Sequence, residues 1–220
     1  MGILYLLCGI LLAVMVPLRI WFIRKRTPVL DFETAMALDE PVIVYLRSFE
    51  DDGKGSDYNI SFSTAFAGLF LKYNGSYEYI ILKPFRKWFS VIAIGKPDEE
   101  LPEVGALRLY VDDEVWQDRA AALIEKAKYV VLRPAKSDGL NWEINYLISN
   151  ALLHKLILST QIGTIDEKAV RAAKFKQFNK KFHELTGIEL PEYSSKTPYI
   201  RFDASQNAIG MKKEEVGRLA

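Results

Sequence analysis

Residues 129–147 read YVVLRPAKSDGLNWEINYL. The run Tyr129-Val130-Val131-Leu132 is β-branched and aromatic, the composition of a short buried strand. Arg133-Pro134 ends it, because proline removes a backbone donor and restricts the residue before it. A polar loop leads to Asp138-Gly139, where the chain turns into a helical pattern. That pattern puts Trp142 and Glu143 in its first turn and Tyr146 and Leu147 one turn on. Strand, loop and then a helix with an acid near its start is half of an α/β unit. Such folds build their sites at the carboxyl ends of the strands.

Working outward, Pro41–Phe49 (PVIVYLRSF) is a near-continuous apolar run, the pattern of a central strand buried on both faces. Glu50-Asp51-Asp52-Gly53 closes it. Phe89–Gly95 and Ala106–Val111 read as further strands, separated by the loop 96–105 (KPDEELPEVG). Asp112 or Asp113 is placed to cap a helix over 114–127, whose Trp116, Leu123 and Ile124 share one face. His154–Ser159 reads as a fifth strand. The stretch 165–186 reads as a helix with Phe175, Phe178 and Phe182 in a stripe, and Pro198–Asp203 as a last strand. Strands alternating with helices predict a doubly wound, mainly parallel sheet of about five strands. The expected domain runs from 41 to 205, with a connector at 28–40 and a mobile tail at 206–220.

The 220-residue chain carries a formal net charge of +1, which argues against nucleic acid as an electrostatic partner. The charge is unevenly placed. Arg19, Arg24, Lys25 and Arg26 give the first 27 residues +4 with no acid, against −3 for the remainder. Residues 3–23 are apolar but for Arg19, long enough to span a hydrocarbon core as a helix. A cleavable signal would put its positive charges ahead of the apolar run; here they follow it. The expectation is a single-pass anchor in the cell membrane, with Trp21 at the interface and the rest of the chain cytoplasmic by the positive-inside rule. The apolar segment 61–73 is too short to span. The single cysteine, Cys8, excludes an intramolecular disulfide and a thiolate metal site.

Three stretches carry a resemblance. VIVYLRSFEDD (42–52) is similar to the first strand and box of Toll/interleukin-1-receptor-type (TIR) domains, and the 96–105 loop sits where those domains carry a long loop after their second strand. KYVVLRPAKSDGLNWEI (128–144) resembles both the TIR strand–loop–Trp–Glu helix and the Asp-x-Gly-x-x-x-x-Glu segment of nucleoside 2-deoxyribosyltransferases. The resemblance covers roughly 41–160 and implies a flavodoxin-like sheet with a glycosidic-bond site centred on Glu143. Two departures stand beside it. Tyr146 occupies the position of the usual TIR catalytic glutamate, and Leu140 replaces the usual threonine of the transferases.

Glu143 is therefore the candidate catalytic carboxylate, able to support an oxocarbenium-like state at the N-glycosidic bond of NAD or a related nucleotide. The helix start is expected to keep it ionised. Arg47, Ser48, Phe49 and Arg133 end strands on the same edge and are candidates for substrate binding, with Asp138 and Trp142 beside the carboxylate. Asp138 has a competing role as an N-cap, Trp142 as core, and Arg47 and Arg133 as ion-pair partners. Asp51, Asp52, Asp112 and Asp113 read as caps and turns rather than a metal site, and no cofactor motif is present. Two function classes stand open. One is an enzyme acting on a nucleotide-like small molecule; the other is a membrane-tethered signalling module that self-associates without chemistry.

Overall fold

A computed structural model of the chain describes residues 25–48, 77–95, 105–161 and 168–220, with Leu11, Val14, Met15, Leu18, Trp21 and Phe22 ahead of them. The candidate Phe49, the acids Asp51 and Asp52, the 61–73 segment and most of the 96–105 loop lie outside these residues. So does most of the 3–23 segment. Among the described residues no helix is long and apolar enough to cross a membrane.

The elements are β1 (Val29–Leu30), α1 (Phe32–Ala37), β2 (Val42–Leu46), α2 (Tyr77–Leu82), β3 (Ser90–Gly95) and β4 (Leu107–Tyr110). They continue with α3 (Trp116–Lys126), β5 (Tyr129–Leu132), α4 (Asp138–Ser149), β6 (Leu156–Ser159) and α5 (Lys168–Thr186). β7 (Tyr199–Phe202), β8 (Ala208–Met211) and a 3-10 turn at Lys213–Arg218 complete the chain. The sheet has eight strands in the order β1-β4-β3-β2-β5-β6-β7-β8. The first six in that order run parallel, and β7 and β8 add antiparallel at the far edge.

β2 is central, with Val44 opposite Ile92 of β3 on one side and Val130 of β5 on the other. Its residues alternate between two cores. Val42, Val44 and Leu46 pack with α3, α4 and α5; Ile43 and Tyr45 pack with Ile81, Leu82 and Phe85 on the other face. That double burial is why the strand reads as an unbroken apolar run. Phe175, Phe178 and Phe182 all enter the first core, as their stripe predicts.

Three expectations need correcting. The sheet has eight strands rather than about five. Two of the extra strands come from segments thought to lie outside the domain. Val29–Leu30 of the connector pairs with β4, and α1 begins at once behind it, capped by the Asp31 side chain accepting from the Thr34 amide at 2.7 Å. Residues 206–220, expected to be a mobile tail, instead supply β8 and bury Met211 and Val216. Alternating small and apolar residues (AIGM) were too few to signal a strand beside so many charges. The strand order also differs. The five strands read from sequence run 3-2-1-4-5, whereas a flavodoxin-like sheet runs 2-1-3-4-5.

Candidate functional site

From β2 the chain builds outward through β3 and β4. α3 then carries it back to β5, and building continues the other way through β6. The order reverses between β2 and β5. In open α/β sheets the crevice at such a reversal, beyond the carboxyl ends of the strands, is where ligands bind.

A cavity of about 300 Å³ lies there. Its walls include Leu46, Arg47 and Ser48 from the end of β2, Ile94 and Gly95 from β3, and Asp113 and Trp116 before and at the start of α3. Ser137, Asp138, Gly139, Leu140 and Glu143 close it from α4. The size is at the lower end for small-molecule sites.

Ser137 starts α4, its hydroxyl accepting from the Leu140 amide at 3.2 Å, so Asp138 is the first helical residue and not the cap. The early start places Glu143 in the second turn rather than the first. There the charge of the helix end has largely faded. Leu140, Ile144 and Leu147 turn the same face of α4 into the core, and Glu143 goes with them, at 7% exposure. Its Oε2 is buried and, among the described residues, accepts no hydrogen bond. Desolvation therefore pushes its pKa up from 4.5 to about 8. Burial thus acts against the ionisation expected from the helix start and favours the neutral acid at neutral pH.

Arg47 continues the alternation of β2 and leaves the sheet on the face opposite α4. It is buried, its Nε 3.7 Å from Glu78 Oε2, and the same oxygen receives Arg108 Nη2 at 2.9 Å. Arg108 is fully buried in the middle of β4. A charge inside a strand written LRLY needs a partner within the fold. That rule could have pointed to Glu78, which the sequence reading left without a role. Gly105 makes room for the pair, since a Cβ there would lie 2.7 Å from Glu78 Cγ.

Of the candidates, Glu143, Asp138, Arg47 and Ser48 share the cavity. Trp142 is not among the residues lining it. Its ring sits between Trp116 at 5.0 Å and Tyr146 at 5.3 Å, on the side of α4 that faces α3. Trp116, read from sequence as core, is the indole on the cavity wall. Arg133 is half-buried and also outside the lining; its amide extends the β2–β5 ladder by donating to the Leu46 carbonyl at 2.9 Å. Neither Asp112 nor Asp113 caps α3, which starts from Val115 without a side-chain cap. Among the described residues no group of acids, histidines or cysteines could hold a metal ion.

No protein-family model, no curated protein and no solved structure matches this chain.

Proposed function

We propose that the chain is a membrane-anchored α/β domain that cleaves, or transfers at, the N-glycosidic bond of NAD or a related nucleotide, with Glu143 as the working carboxyl group. One observation carries this reading: a buried carboxyl oxygen that has no hydrogen-bond partner among the described residues, in the wall of a cavity at the reversal of the sheet. Leaving a buried acid unsatisfied costs stability, on the order of 1–3 kcal/mol. A residue kept there at that cost is a candidate for chemistry.

In the proposed reaction the bond from the ribose anomeric carbon to the base nitrogen breaks, and its electron pair leaves with the base. Nicotinamide departs neutral because its ring nitrogen was cationic in NAD. Positive charge then develops on the ribose, and the Glu143 carboxylate stabilises it or bonds to the anomeric carbon. Water, or an acceptor hydroxyl or amine, completes the exchange and releases a proton. A cationic pyridinium entering the cavity favours the ionised form of Glu143, offsetting its burial. Ser48, beyond the end of β2, would meet the polar groups of the nucleotide, while Arg47 stays engaged with Glu78. NAD is here a substrate, and no cofactor enters.

The anchor belongs to the same reading. Leu11, Val14, Met15, Leu18, Trp21 and Phe22 occupy helical positions with exposures from 40% to 62%, an apolar surface that the domain does not cover. Lys25 and Arg26 follow, the arrangement that keeps a C-terminal domain in the cytoplasm.

The test is incubation of the detergent-solubilised full chain with NAD and with nucleosides, followed by chromatography for released base. A self-associating module without chemistry is the second reading, favoured by Tyr146 standing where TIR enzymes carry their glutamate. It predicts no base release from any substrate.

A further inference from the structure

The opposite edge of the sheet carries a second concavity, of about 460 Å³. It opens at the amino ends of β3 and β4, lined by Ser90 and Val91 on one and Gly105, Ala106 and Leu107 on the other. Two arginines distant in sequence meet there. Arg26 directly follows the helical position of Lys25, and Arg86 comes from the turn after α2. Among the described residues neither forms an ion pair, and the Arg86 guanidinium lies over the Tyr79 ring at 5.4 Å.

We propose that this groove binds the phosphate headgroup of an anionic membrane lipid. The inference rests on the anchor reading, because the chain passes from Lys25-Arg26 into β1 within three residues, Thr27, Pro28 and Val29. β1 runs parallel to β4, so the N-terminal segment would deliver the domain to the membrane by the amino edge of the sheet. The groove then lies at the bilayer surface. The Glu143 cavity, a strand length away at about 3.3 Å per residue, faces the cytoplasm.

The chemistry of the rim fits a headgroup. Lys83, Arg86 and Lys87 are exposed, and no acid occurs between Tyr79 and Gly95. Exposed Trp88 carries Lys87 Nζ 4.6 Å above its ring, a pairing of aromatic and cation suited to the interface. Glu40 accepts from the hydroxyl of Ser90, a lining residue. Arginine forks match phosphate oxygens in pairs, and an anionic leaflet attracts each basic side chain by roughly fivefold in affinity.

The test is native mass spectrometry of the full chain in non-ionic detergent, titrated with phosphatidylglycerol or phosphatidylcholine. Phosphatidylglycerol should be retained preferentially, and Arg26→Gln and Arg86→Gln should each weaken it about fivefold. Lys176→Gln, on the solvent face of α5, should not, and melts followed by circular dichroism should match the wild type. Equal retention of both lipids, or of phosphatidylglycerol by the double variant, overturns the proposal. So does competition by glycerol phosphate as effective as the lipid, which would make the ligand a soluble phosphate. Carbonate extraction of the same variants separates the two readings. A chain that leaves the membrane yet keeps arginine-dependent lipid retention removes the anchor alone, and one that stays without such retention removes the groove alone.

Discussion

Glu143 reaches its cavity because Ser137 starts α4 early enough to turn position 143 inward with Leu140, Ile144 and Leu147. The sequence pointed to this residue through its place after a strand and a loop. It did not show the side chain's protonation, because burial is a property of the packed fold. The consequence is measurable. Between pH 4.5, the ordinary value for a glutamate, and about 8, the native state holds a proton that the unfolded chain has released. Raising the pH across that window favours the unfolded chain, so stability should fall with pH by up to about 1.4 kcal/mol per unit. Thermal melts from pH 5 to 8 should show Tm falling in the wild type. Glu143→Gln, which has no proton to lose, should flatten this component. Parallel slopes in the two proteins would show that the carboxyl group is not buried neutral.

At the scale of elements, strands announced themselves and their edges did not. β2, β3 and β5 are apolar on both faces, which no other local structure of that length requires. β1 has two residues and gains its ladder bonds only from β4, far along the chain; β8 has four and closes a hairpin on β7 through the turn at Asp203–Asn207, too short a run for its own pattern to mark. Trp142 shows the same limit on a helix: α3 packs against it, and its neighbour Glu143 takes the cavity face. The link between α2 and β4 was legible only in part, through an arginine in an apolar strand. Glu78→Leu should leave Arg108 buried without its partner at 2.9 Å and destabilise the domain by about 3–5 kcal/mol. Gly105→Ala should disturb the same pair through the close approach to Glu78. Urea melts followed by circular dichroism measure both. Stability within 1 kcal/mol of wild type in the Leu variant, a bound set by the modest worth of surface pairs, would mean the pair contributes no more than an exposed one.

The whole molecule has a polarity that the order of strands creates. Every parallel strand ends on the edge that holds Glu143, and the chain enters at the edge that holds Arg26 and Arg86. Alternation of strands and helices made the parallel sheet legible, but strand order depends on which crossover packs where. Residues 96–105, which separate β3 from β4, gave no sign that β4 would extend the sheet beyond β3. The anchor reading predicts that the full chain stays with membranes through high salt and alkaline carbonate, whereas release into the soluble fraction would remove it. The site reading has one direct measurement: kcat/KM for base release from NAD by the full chain across pH 5 to 9, beside Glu143→Gln and Glu143→Asp. The account predicts a rate that rises with pH and reaches half its maximum near 8 as the free carboxyl ionises. It predicts a loss of several orders of magnitude in the Gln variant with folding preserved, and roughly 10²-fold in the Asp variant, whose oxygens are drawn back by about 1 Å. Base release that survives both substitutions, or none from the wild type at any pH, would contradict it.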